Sequence, residues 1–329
     1  MEDGKVGEKA EYGRKRFTAA LPVLFLLLAV FPGPSRAYGL RVSYQYNLAD
    51  STGDIPFSYG AKLAIDKSRG EVYVTDSMQG GVTIFNTTGM RVYRFGDQAD
   101  LGFIEDVAID RKGDIFTLSY NDTRQLFFIG LCNYRGELQS KITVSGLPSG
   151  FSHFKPGRIF YNKGIIYLAD DEDMLVALVN LQGKCIRTYQ LNKILKFTPK
   201  MIRDDNSAFG FAIDDDGNMY LTIPTLFRAY RITPDGKAET FGRGGSGPGR
   251  FGVAAGIAVD GNGYIYVSDR LRCCVLVFNK DLNFVTEFGY RGFGPGSLIV
   301  PSDVVAGPDG RIYVSQAGNR GVSVFSAAY

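Results

Sequence analysis

The residues in this chain best suited to chemistry are carboxylates. Glu105, Asp106 and Asp303 stand just before apolar runs, Asp170-Asp171-Glu172-Asp173 is the densest acidic patch, and Asp204-Asp205-Asn206 adds another. Oxygen-rich sets of this kind suit calcium or magnesium. Other chemistries lack parts. His153 is the only histidine, so neither a three-histidine zinc site nor a His-paired nucleophile can be assembled. Cys132, Cys185, Cys273 and Cys274 form no CxxC. A Cys132–Cys185 bridge between neighbouring repeats is geometrically open. Cys273 and Cys274 read as one buried and one surface thiol, because consecutive strand side chains point to opposite faces. Gly242-x-Gly244-x-x-Gly247 and Gly247-x-Gly249-x-x-Gly252 match the dinucleotide fingerprint, but a strand-like run, Gly256 to Asp260, follows where a helix is required. Asp214-Asp215-Asp216-Gly217-Asn218 lacks the spaced ligands and closing Glu of a calcium loop and reads as a turn.

The elements that position these residues are repeats. VAIDRKGDIFTLS (Val107 to Ser119), FAIDDDGNMYLTI (Phe211 to Ile223) and IAVDGNGYIYVSD (Ile257 to Asp269) are one template, with looser copies beginning at Leu63, Arg158 and Val304. Each copy holds an apolar strand, a turn of Asp, Gly and Asn, and an alternating strand, which is a hairpin pattern. Tyr73, Phe116, Tyr167, Tyr220, Tyr266 and Tyr313 are equivalent, spaced by 43, 51, 53, 46 and 47 residues. Ala64, Ala108, Ala212 and Ala258 align in the first strands, with Ile159 and Val305 completing the set. Two further strand-like runs follow most copies, for example Val82 to Phe85 and Arg91 to Gly96, or Cys274 to Phe278 and Phe284 to Gly289. Four strands per period define a propeller blade. Six copies predict an all-β, six-bladed β-propeller of four-stranded antiparallel blades. The last copy is one strand short, and Arg41 to Leu48 alternates like a strand before the first, so this N-terminal strand is expected to close the ring.

The pattern of small-hydrophobic-Asp, turn Gly and aromatic-Val-x-Asp, then Asn319-Arg320 with Val322 and Val324-Phe325, resembles the NHL-repeat family of β-propellers. The Gly-rich links Phe241-Gly242 to Pro248-Gly249 and Phe288-Gly289 to Pro295-Gly296 are similar to that family's passage between blades. The resemblance covers about Arg41 to Tyr329. It is weakest in the third repeat, where Tyr161 is read in place of the usual Asp. It implies a propeller displaying loops around a channel. Amidating lyases similar to this group hold zinc with several histidines, a set this chain lacks. Lactonases similar to it hold a divalent metal at the channel rim with Glu, Asn and Asp. Here that rim would be Glu105, Asp106 and Asp303.

The chain carries 37 basic and 34 acidic side chains, of which six and four fall in residues 1–37, leaving the remainder near neutrality. It has no electrostatic footprint for nucleic acid. Gly13-Arg14-Lys15-Arg16, the 15-residue apolar run Phe17 to Phe31 and Ser35-Arg36-Ala37 form a secretory pattern. Residues 1–37 are therefore expected to be a signal peptide or an N-terminal membrane anchor, and residues 38–329 a propeller outside the cytoplasm. Any membrane attachment would run through that segment. The loops between second and third strands share a face with the links. Arg124, Arg158, Arg243, Arg250, Arg270, Arg272, Arg291 and Arg320 are placed there, with Tyr120, Tyr290, Phe227, Phe251 and Phe293. Arg and aromatic residues favour protein contact. The expectation is a binding or scaffold module for a protein or peptide, without a cofactor. The alternative is a metal-dependent hydrolase or lactonase with Ca or Mg at Glu105, Asp106 and Asp303.

Overall fold

The computed structural model describes residues 40–48, 61–76, 81–96, 99–121, 123, 125–198, 200–201, 207–317 and 320–329. The signal or anchor reading of residues 1–37 lies outside them, as do Asp122, Arg124, Asp204, Asp205, Asn206 and Asn319. Strand β1 (Arg41–Asn47) precedes the repeats. Blade 1 is β2 (Lys62–Asp66), β3 (Glu71–Asp76), β4 (Gly81–Phe85) and β5 (Arg91–Phe95). Blade 2 is β6 (Phe103–Ile109), β7 (Ile115–Tyr120), β8 (Phe127–Cys132) and β9 (Leu138–Ile142). Blade 3 is β10 (Arg158–Asn162), β11 (Ile165–Asp170), β12 (Leu175–Asn180) and β13 (Cys185–Gln190), followed by the short helix α1 (Leu191–Ile194). Blade 4 is β14 (Phe211–Ile213), β15 (Met219–Ile223), β16 (Arg228–Ile232) and β17 (Ala238–Phe241). Blade 5 is β18 (Ala254–Val259), β19 (Ile265–Asp269), β20 (Cys274–Phe278) and β21 (Phe284–Phe288). Blade 6 is β22 (Pro301–Ala306), β23 (Arg311–Gln316) and β24 (Val322–Ala328), completed by β1.

These are six four-stranded antiparallel sheets in a ring, a β-propeller. β1 pairs antiparallel with β24, from Arg41 opposite Ala328 to Asn47 opposite Ser323. Leu48 continues the seam, donating its amide to the Val322 carbonyl at 2.8 Å. The N-terminal strand thus covers the edge that blade 6 would otherwise leave open.

The repeated Asp is a turn residue. Asp110 Oδ1 accepts the amides of Lys112, Gly113 and Asp114, and Asp214 and Asp260 do the same in blades 4 and 5. These carboxylates satisfy backbone donors that the hairpin leaves unpaired. Asn86, Asn133, Asn180 and Asn279 cap the outer hairpins in the same way. The Asp214 to Asn218 segment is therefore a capped turn.

Blade 3 corrects the alignment of the repeats. Ala64, Ala108, Ala212, Ala258 and Val305 lie opposite Tyr73, Phe116, Tyr220, Tyr266 and Tyr313, but Tyr167 lies opposite Phe160, not Ile159. Asn162, not Tyr161, takes the place of the turn Asp. The cause is a shorter hairpin: Asn162 pairs with Ile165 across Lys163 (φ 50°) and Gly164 (φ 86°), a tight two-residue turn in the left-handed region.

Apolar side chains from adjacent blades interleave around the whole ring, so both faces of a blade are covered. That overturns the expectation for the cysteine pair. Cys273 packs between blades 5 and 6 and Cys274 between blades 4 and 5, and both are buried. They do point to opposite faces, but neither face meets water. All four thiols are free, and burial pushes Cys132 and Cys274 up to about 12, so both are neutral and unreactive.

Candidate functional site

The inner strands β2, β6, β10, β14, β18 and β22 line a central channel. The residue two places before the aligned Ala64, Ala108, Phe160, Ala212, Ala258 and Val305 forms a ring: Lys62, Asp106, Arg158, Gly210, Gly256 and Asp303. β-bulges between Ile104 and Asp106, Ala254 and Ile257, and Pro301 and Asp303 fall at this level in blades 2, 5 and 6. Bulges re-aim the side chains that follow them. Arg158 donates to Asp303 Oδ2 at 2.9 Å, and both are almost fully buried. Asp303 also accepts the amides of Leu63 (3.0 Å) and Val304 (3.0 Å). Asp106 accepts those of Val107 (3.0 Å) and Ile159 (3.1 Å). Lys62 pairs with Glu105 and donates to the Gly157 carbonyl at 2.7 Å. The two carboxylates therefore stitch one inner strand to the next, and the group plugs the link-face end of the channel.

Electrostatics at the plug is unbalanced. Burial pushes the Asp106 carboxyl up to about 6, although Arg158, Lys62 and the Ile159 amide pull it down. Burial opposes the charge of Arg158, but Asp303 and Asp106 outweigh it and keep the guanidinium protonated. Asp171, just beyond β11, is pushed up to about 7 by burial, with Arg158 and Lys62 pulling down and Asp170 and Asp106 pushing up. Its Oδ1 is buried without a hydrogen-bond partner among the described residues. Perturbed carboxyls beside fixed charges are common at functional sites. Among the described residues no group of three or more His, Cys, Asp or Glu is arranged to hold a metal ion. Glu105, Asp106 and Asp303 do converge on one end of the channel, but their nearest partners are Lys62, Arg158 and backbone amides.

Above the plug the channel is a cavity of about 810 Å³. Its middle is walled by apolar residues, among them Ala64, Ile109, Ile213 and Val259, and its mouth by charged ones such as Lys67, Arg111 and Asp214. It opens on the face of the inner hairpin turns, where the exposed Lys67 and Asp215 pair at 2.9 Å. The volume and the apolar middle, between a charged floor and a charged mouth, suit a small molecule.

The opposite face carries the links. Four of the arginines expected to meet a partner instead hold links and loops in place. Arg250 donates to the Gly244 carbonyl (3.4 Å), Arg272 to that of Arg250 (2.8 Å), Arg291 to that of Leu271 (2.9 Å) and Arg320 to that of Phe293 (2.8 Å). Link carbonyls have no strand partner, so these guanidinium groups satisfy them. Arg272 also pairs with Glu287 at 2.7 Å, and Arg270 lies over Phe209. Arg158 is in the plug, and Tyr120 is buried with its hydroxyl on the Pro156 carbonyl at 2.7 Å. Asp170 and Asp269 accept amides of the preceding links, so the acidic loops are partly structural. Arg243, Arg291 and Tyr290 remain exposed. The same face also presents Leu271 (58% exposed), on the loop between β19 and β20, and Tyr290 (57%) and Phe293 (83%), on the link from blade 5 to blade 6. Phe251 is fully buried between blades, and His153 is an exposed loop residue. Lys62 is the site residue that sequence reasoning missed. The signal was the column two places before the aligned residue of each inner strand, which reads Lys, Asp, Arg, Gly, Gly, Asp.

Neither a protein-family model nor a curated protein sequence matches the chain. Solved structures do. A protein of unknown function from Bacteroides thetaiotaomicron is 16% identical, with a TM-score of 0.65 over 88% of this chain and 76% of that one. A streptogramin B lyase is 14% identical, with a TM-score of 0.56 over 88% and 98%. A calcium-binding protein, regucalcin, from Agrobacterium tumefaciens is 13% identical, with a TM-score of 0.55 over 86% and 93%. The likeness is one of fold: this chain shares the six-bladed β-propeller with them.

Proposed function

We propose that the chain is an NHL-type propeller acting outside the cytoplasm as a binding module, and that it recognises a protein or peptide on the link face of blades 5 and 6. The observation that carries this reading is the exposed group Leu271, Tyr290 and Phe293. Two of its members sit on backbone held by an arginine, Leu271 by Arg291 and Phe293 by Arg320. Rigid aromatic side chains offer contact area at low entropic cost. Gly13 to Ala37 supports export, and the repeat pattern supports the NHL type.

A second reading, a metal-dependent hydrolase or lactonase with Ca or Mg at the plug, draws on one observation: the perturbed Asp171 beside Asp106, Arg158 and Lys62. Thermal melts with each metal against a chelator separate the two. Saturable stabilisation favours the hydrolase, and melts unmoved by either ion favour the binding module.

The direct test is selection of peptides from a displayed random library on the full chain, followed by titration against Phe293→Ala and Leu271→Ala. The reading expects each change to weaken binding at least tenfold with an unaltered melt. Peptides that bind wild type and both variants equally would overturn it.

A further inference from the structure

The channel cavity lies on the other side of the plug from the link face and takes no part in the function proposed above. We propose that it is a binding site for a small amphipathic amine, with the ammonium group seated against Asp106 and Asp303 and the hydrocarbon body along the inner strands. Two carboxylates and one guanidinium, from Asp106, Asp303 and Arg158, line the floor of the cavity. Arg158 is bonded to Asp303, and among the described residues no cation is hydrogen-bonded to Asp106, whose two oxygens each accept one backbone amide. A carboxylate oxygen accepts two hydrogen bonds, so both oxygens of Asp106 retain capacity for an N–H donor. One negative charge is thus left over at the closed end of an apolar tube. An ammonium group supplies the missing charge and the missing donors, and a carboxylate head would meet the same surplus as repulsion. Directly above the floor the walls are apolar, from Ala64, Ala108, Phe160, Ala212, Ala258 and Val305, and charged side chains return only at the mouth, among them Lys67, Arg111 and Asp215, so the part of the ligand next to the ammonium must be apolar.

The charged groups that act on Asp106 come from every element around it: Lys62 on β2, Glu105 on β6 itself, Arg158 on β10, Asp171 after β11 and Asp303 on β22. Burial already holds its carboxyl up to about 6.

Isothermal titration of the full chain with n-octylammonium, n-octanol and sodium octanoate tests the proposal. The expected result is one octylammonium per chain at pH 7.5, with octanoate at least tenfold weaker. Asp106→Asn should cost octylammonium at least tenfold and leave octanol unchanged. Ala64→Phe should weaken binding of all three by narrowing the tube. A phenyl ring is tolerated at that level of the fold, since Phe160 occupies the equivalent place in blade 3. Equal affinity for the three head groups, preference for octanoate, or no binding of octylammonium would overturn the proposal.

Discussion

At the level where the inner strands begin, blades 1, 2, 3 and 6 carry Lys62, Asp106, Arg158 and Asp303, whereas blades 4 and 5 carry Gly210 and Gly256. On the glycine side the backbones themselves close the ring. A Cβ on Gly210 would lie 2.2 Å from the Ala255 carbonyl oxygen, and one on Gly256 2.6 Å from the Cα of Asp303. On the charged side the inner strands are joined through carboxylates that accept amides of the neighbouring strand. One position of one repeat thus serves two purposes. Where blades touch it must be empty, and where they stand apart it is filled with charge that shapes the channel floor.

That contrast can be broken by substitution, beginning on the charged side. Arg158→Met strands Asp303 and Asp106 in a buried site and should cost about 3–5 kcal/mol at pH 7.5. The loss should shrink at pH 5, where Asp106 is protonated; urea unfolding at the two pH values measures both. On the glycine side, Gly256→Ala should cost about 2–3 kcal/mol by forcing backbones apart. Gly261→Ala, with open space around it, should stay within about 0.5 kcal/mol. Equal melts for these two variants would show that the blades do not touch at Gly256.

A smaller effect sharpens the electrostatic side. The folded carboxyl of Asp171 titrates at about 7, above its ordinary value. A raised acid favours the folded state most below its unfolded pKa of about 4, and that contribution is lost as pH rises through about 7. Asp171→Asn should therefore raise stability at pH 7.5 by on the order of 1 kcal/mol and leave it unchanged near pH 4. Thermal melts across that range decide the sign. Phe293→Ala should move stability least, within about 0.5 kcal/mol, because its ring is exposed.

Much of this fold is legible in the residues. The hairpin template, its aromatic column and the orphan strand Arg41 to Leu48 predict six blades and the seam between β1 and β24, because a propeller repeats one packing unit and must bury its edges. Blade 3 is the exception. Its two-residue turn at Lys163-Gly164 shifts the apparent alignment by one, since pattern matching assumes a constant turn length. The cysteine pair was misread because alternation predicts which face a side chain takes and not whether a neighbouring blade covers that face. The site was less legible. Asp106 and Asp303 lie at one end of the channel with Glu105 beside them on Lys62, and the arrival of Arg158 at Asp303 depends on bulges and on how the inner strands converge. The fate of Arg250, Arg272, Arg291 and Arg320 turned on which link carbonyls lacked a strand partner, which only three dimensions reveal.

The central claim is that recognition occurs on the link face of blades 5 and 6. Amide hydrogen exchange of the full chain with and without a library-selected peptide tests it most directly. The account predicts slowed exchange in residues 270–273 and 289–298, with the inner hairpin turns near Asp110 and Asp214 unchanged. Protection confined to those turns, with the links exchanging as in the free protein, would contradict it.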